Sequence, residues 1–182
     1  MTVLTTRKRG RARRIVLRLS AALAILSGGL FPASGYAGEL ATFGYLEKVR
    51  VGPNALMMRA KLDTGADTSS LGYQELERII KDGTDWVMVT VSNAEGDSFA
   101  TLRKVVRVAR IKHKNGSSIK RPVILVAICL GGIRKMTEVT LTNRQKFSVP
   151  ILIGRSFLAG MALVDSSKKY TTDPRCEEGQ AQ

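Results

Sequence analysis

The sequence predicts an all-β fold, one lobe of short strands closed as a barrel or sandwich, with one or two short helices. Three observations carry this expectation. Most segments after residue 40 are short, β-branched and set off by turn residues. Asn115-Gly116 is a strong hairpin signal, because both residues tolerate the positive φ of a type I′ turn. Only two stretches, residues 74–81 and 155–159, read as helix.

Taken in order, strands are expected at residues 42–49, 56–62 and 69–71. Residues 74–81 follow a loop and are rich in Leu, Glu and Ile, which favours a helix. Strands at 86–92 and 98–108 flank Asn93-Ala94-Glu95-Gly96, a second hairpin signal. Strands at 109–114 and 118–130 flank Asn115-Gly116, and further strands follow at 137–142, 146–153 and 162–165. The run 149–153 ends in Gly154, after which Arg155 to Ala159 supply one or two helical turns. No repeat or long linker divides residues 38–182, a length that suits one domain. Residues 171–182 form a polar tail expected to be mobile.

Charge first suggests a nucleic-acid binder, since 29 Lys and Arg against 15 Asp and Glu give +14 over 182 residues. Its distribution removes that impression. Residues 1–37 hold Arg7, Lys8, Arg9, Arg11, Arg13, Arg14 and Arg18 and no acid. The remaining cations are spaced like solvated strand faces, with little aromatic interleaving for base stacking, so no nucleic-acid partner is expected. The basic stretch, the apolar run 19–31 and the small residues Ala33, Ser34, Gly35 and Ala37 make the pattern of a secretory signal. Cleavage is expected after Ala37. The apolar run is short for a spanning helix, so an exported chain, periplasmic or secreted and without a stable membrane span, is expected.

One His and two Cys are too few for a usual His/Cys zinc site, and no P-loop motif is present. No metal and no cofactor are therefore expected. Cys129 lies in an apolar run and Cys176 in the polar tail, so Cys129 is expected as a buried free thiol, although a disulfide is open to the pair in an oxidising compartment. Trp86 and Leu102 read as core or hairpin-support residues, and His113 as an exposed loop residue.

The richest segment is Ala60-Lys61-Leu62-Asp63-Thr64-Gly65-Ala66-Asp67-Thr68-Ser69-Ser70-Leu71. An apolar strand runs into a tight loop that presents the Asp63 carboxylate, and Gly65 permits a close backbone approach there. By itself this also reads as an Asx turn at a strand end. The second segment is Val149-Pro150-Ile151-Leu152-Ile153-Gly154-Arg155-Ser156-Phe157-Leu158.

Together, Leu62-Asp63-Thr64-Gly65-Ala66 and, about 90 residues later, Ile151-Leu152-Ile153-Gly154-Arg155 resemble the retropepsin-like aspartic peptidases. The resemblance is closer to a bacterial branch often labelled ATP-dependent zinc proteases, and it takes in Arg121-Pro122-Val123, Thr140-Leu141-Thr142-Asn143-Arg144 and Val164-Asp165 as well. The zinc and ATP labels find no support in these residues. Such a lobe is a small acid-protease β-barrel with one catalytic Asp, so the resemblance implies a homodimeric aspartic endopeptidase acting on a protein or peptide. Asp63 and its copy would share a proton and activate a water. Thr64 would bond across the dimer, Gly65 would offer its carbonyl to substrate, and Ala66 and Asp67 would bind substrate backbone. Gly154 and Arg155 would support the loop, the latter through an ion pair with Asp67. Ser156 stands where retroviral relatives usually carry Asn or Asp. A flap is expected at residues 112–118, which lack the glycines of retroviral flaps, or at residues 93–96. The net positive charge favours acidic substrates. A lobe used only for dimerisation or peptide binding is the alternative, which the intact Asp63-Thr64-Gly65 argues against.

Overall fold

Strand alternation builds most of the protein. The computed structural model describes residues 40–112, 116–144 and 147–176. The expected signal segment, residues 1–37, lies outside them, as does His113. Three strands open the chain: β1 (Ala41–Val51), β2 (Leu56–Leu62) and β3 (Ser69–Gly72). In β2, Met58, Ala60 and Leu62 point inward while Met57, Arg59 and Lys61 point out, the period-2 pattern of a half-buried strand. β4 (Glu75–Lys81), β5 (Thr84–Ser92) and β6 (Ser98–Lys104) form a separate three-stranded sheet. β7 (Arg107–Lys112), β8 (Ser118–Leu130), β9 (Ile133–Thr142), β10 (Ile151–Ile153), the one-turn helix α1 (Arg155–Leu158) and β11 (Ala162–Lys169) complete the fold.

The large sheet runs β11-β1-β2-β10-β3-β9-β8-β7. Val49–Val51 of β1 also pair with Ile128–Leu130 of β8, closing six strands into a ring with β11 and β7 as flanks. The expected barrel is thus present, though three residue pairs close it and the small sheet is not paired into it. Val49, Val51, Leu71, Ile128, Leu130, Leu141, Ile151 and Ile153 fill its interior, and Phe157 of α1 is buried with them. Val87, Val89, Val91 and Phe99 of the small sheet join the same core.

Several expectations need correction. Of residues 74–81, Glu75–Lys81 form strand β4, not helix. Their helix-like spacing arises from two faces: Leu76 packs on the core, whereas Ile79 sits on the opposite face beside Trp86. Asp82 and Gly83, with φ of 51° and 68°, make the tight turn that returns the chain into β5. The expected strand 98–108 breaks at 105–106, where Val105 N–H bonds Asp85 O and Val106 N–H bonds Val123 O as the chain passes between sheets. The strand expected at 146–153 is confined to Ile151–Ile153.

Cys129 is not a free thiol. It is joined to Cys176, with Cα atoms 6.0 Å apart. Nor is the tail loose over its first six residues. Thr171 donates its N–H and hydroxyl to Glu47 Oε1, at 3.0 and 2.6 Å, and Thr172 N–H bonds Oε2 at 3.4 Å. Gly44 N–H, bonded to Oε1 at 2.7 Å, adds a fourth donor to the carboxylate, so the fully buried Glu47 is held by main-chain and hydroxyl donors. Arg175 N–H bonds Gly131 O at 2.7 Å.

Candidate active site

Asp63 follows β2 directly, and its N–H bonds Ile153 O at 2.8 Å, continuing the parallel pairing of β2 with β10. The chain then turns tightly: Gly65 N–H bonds Asp63 Oδ1 at 2.9 Å and Ala66 N–H bonds Asp63 O at 3.3 Å. Asp63 is therefore an Asx turn and a presented carboxylate at once, so the two readings of its sequence are not exclusive. It is half-buried, whereas Thr64, Gly65 and Asp67 are exposed.

The second segment clamps the loop from below. Arg155 N–H bonds Ala66 O at 2.8 Å and Ser156 N–H bonds Asp67 O at 3.0 Å. Gly154 N–H bonds Ser69 Oγ at 3.1 Å. A Cβ on Gly154 would lie 2.8 Å from Thr68 C, 2.9 Å from Asp67 O and 3.0 Å from Ala66 O, so only glycine fits beneath the loop. The guanidinium of Arg155 bonds Thr64 O at 3.1 Å and Gly65 O at 3.0 Å, and meets Asp67 Oδ1 at 3.4 Å. The expected Asp67–Arg155 pair is present, but with side chains 79% and 52% exposed it contributes little by itself. The two carbonyl bonds are the firmer tie.

Other contributors were not assigned from the sequence. Arg107, at the foot of the β7–β8 hairpin, bonds Glu138 at 2.7 Å and Thr68 Oγ1 at 3.3 Å, linking that hairpin to the site loop. Residues 113–115 of that flap candidate lie outside the described residues. The other candidate turn contributes Ser92, Asn93 and Ala94 to a cleft of about 290 Å3 that also holds Arg59, Arg144 and Phe147. Arg144 donates to Ser70 Oγ at 2.7 Å and Val149 O at 3.1 Å and covers the Phe147 ring at 4.4 Å. Burial and the nearby charge of Arg121 lower its pKa, while the charge of Asp63 opposes them. Ser69, Ser70 and Arg144 lie in the stretches that carried the resemblance, yet residue type alone assigned them no partner. Among the described residues, no three His, Cys, Asp or Glu side chains converge as a metal site.

The loop and the glycine-arginine clamp both lie within the stretch that a family model matches. The family model described as "RimB-like: Retropepsin-like aspartic endopeptidase RimB" matches residues 42–175. The chain belongs to this retropepsin-like family. A crystal structure of Lpg0085, a protein of unknown function (DUF785) from Legionella pneumophila, is 34% identical with a TM-score of 0.63, covering 74% of this chain and 100% of that one. Curated relatives named "Probable alpha-L-glutamate ligase" are 35% identical over 116 residues in Shewanella pealeana and 34% identical over 116 in Shewanella halifaxensis. The match covers 62% of this chain but 25% of theirs, so the ligase name describes polypeptides most of which has no counterpart here.

Proposed function

We propose that this member of the retropepsin-like family is an exported, homodimeric aspartic endopeptidase. The observation that carries the reading is the presentation of Asp63 on a loop fixed from beneath by Gly154 and Arg155. One lobe supplies one such carboxylate, so a two-fold axis beside Thr64 would bring Asp63 together with the same residue of a second copy. Two carboxylates at close range share one proton. One then takes a proton from water while the other donates a hydrogen bond to the scissile carbonyl, and the pair titrates as a unit. The exposed Thr64 hydroxyl, which makes no hydrogen bond among the described residues, suits a bond across that axis. Gly65 O and the backbone of Ala66 and Asp67 would meet the peptide. Export accords with the signal pattern of residues 1–37 and with the disulfide.

The ligase name of the relatives favours a second reading, in which the lobe only binds peptide. One experiment separates the two. The purified protein and Asp63→Asn are incubated with an unfolded protein substrate from pH 3 to 7, with EDTA and with a transition-state-type aspartic protease inhibitor. Cleavage that Asp63→Asn and the inhibitor abolish and EDTA spares is expected. A folded dimer that cleaves nothing favours the binding reading.

A further inference from the structure

Cys129 lies where β1 closes on β8, away from the Asp63 loop. It pairs directly with Arg50 of β1 on one side and with Arg134 of β9 on the other. Residues directly opposite in an antiparallel ladder point to the same face, with Cβ atoms about 5 Å apart. Cys129 therefore stands between two arginine side chains on the outer face of the ring. With Cys176, these two arginines line a surface cavity of about 60 Å3, and none of its described lining residues is acidic. Asp173, the acid that the tail brings nearby in sequence, is engaged by Lys48 at 3.0 Å.

The two sulfurs of the bridge are not equivalent. Cys129 is 6% exposed in the middle of the sheet, whereas Cys176 is only half-buried, near the end of the described tail. An incoming thiol therefore reaches Cys176 more readily. Exchange also runs faster when the departing sulfur is better stabilised as a thiolate, and neighbouring arginines favour the thiolate. Access and charge select the same direction, attack at Cys176 and departure of Cys129.

We propose that Cys129–Cys176 is an exchangeable disulfide, a reduction site for a dithiol, with Cys129 as the leaving group stabilised by Arg50 and Arg134. The first thiolate of the dithiol bonds Cys176 Sγ, the S–S bond breaks, and its electron pair goes to Cys129 Sγ. The second thiol, once deprotonated, displaces Cys176 from the mixed disulfide. The dithiol leaves oxidised to a disulfide, and its two protons end on Cys176 and, in exchange with solvent, on the Cys129 thiolate. Reduction unties the tail whose Thr171 and Thr172 donate to Glu47, so the bridge sets how firmly that buried carboxylate is held. This goes beyond the peptidase reading and does not depend on it.

The test follows reduction of the oxidised protein by excess dithiothreitol. Arg50→Gln and Arg134→Gln should each slow it by roughly fivefold or more, the effect of losing one cation at that range. Arg50→Lys keeps the charge and should stay close to the parent rate, which separates a charge effect from a packing defect. Equal thermal unfolding of the oxidised variants checks the same point. Direction is read with a monothiol, mercaptoethanol, after brief exposure, acid quenching and alkylation by iodoacetamide. Peptide mass spectrometry should find the mercaptoethanol adduct on Cys176 and the alkyl group on Cys129. Reduction rates indifferent to both arginines, or an adduct carried mainly by Cys129, overturn the proposal.

Discussion

Gly154 and Arg155 decide how rigid the Asp63 loop is, and each makes a distinct prediction. Gly154→Ala pushes a methyl against three main-chain atoms, none of which yields as a side-chain end would. It should destabilise the protein by about 1–3 kcal/mol and lower kcat/KM further than the stability loss explains; thermal unfolding and steady-state kinetics check both. Arg155→Lys keeps the charge opposite Asp67 but loses the fork that bonds Thr64 O and Gly65 O. Stability should change by less than about 1 kcal/mol, whereas on the proposed peptidase reading kcat/KM should fall by roughly tenfold or more because the Asp63 carboxylate is less well placed. Asp67→Asn should cost much less, and an equal cost would mean that the ion pair matters more than the carbonyl bonds. At this scale the sequence was informative where a motif names a residue by position, as with Asp63, Gly154 and Arg155. It was silent on Arg107 and Ser70, whose partners lie 31 to 74 residues away and become neighbours only through strand register.

Among the elements, β4 is the one whose sequence misled. Leu76, Ile79 and Ile80 satisfy a helical spacing, but Asp82-Gly83 is a type I′ hairpin signal as strong as Asn115-Gly116 and points to strand pairing with β5. Gly83→Ala places a methyl in open space but on a backbone with φ of 68°, so it should cost about 1 kcal/mol through conformation alone, read by denaturant unfolding. β11 offers a pH test. Bonds from the Ser167 hydroxyl and N–H, and then Lys168, hold the Asp165 carboxyl down at about 2, against an ordinary 3.8. A carboxyl pKa lowered by folding stabilises fully above 3.8, and that contribution is lost as pH falls through about 2. The stability difference between the protein and Asp165→Asn should therefore be level above pH 4 and shrink below it, and a difference flat down to pH 2 would contradict the assignment. The strand ends were the least legible feature, since the chain leaves the β5–β6 ladder where Val106 N–H finds Val123 O of β8, a partner that no local pattern announces.

For the molecule as a whole, all-β architecture was legible from alternation and turns, whereas ring closure was not, because it depends on three β1–β8 pairs between residues far apart in sequence. The disulfide was missed for a related reason. Cys129 has the apolar context of an inert core thiol, and only the folded chain brings Cys176 across 47 residues to meet it. Opening a loop of that length removes up to about 4 kcal/mol in a chain-entropy account. Cys176→Ser, or reduction of the intact protein, should lower the unfolding temperature and expose the tail to carboxypeptidase digestion, and an unchanged tail would contradict its strap role. The Glu47 contacts carry the same dependence into biosynthesis. β1 leaves the ribosome early, but the carboxylate it buries gains three of its four donors only from Thr171 and Thr172. A nascent chain that closed its barrel sooner would trap a charge with one bond, a costly state. Native closure should therefore wait until Thr171 and Thr172 have been made, and a chain held open that long would suit the export proposed above.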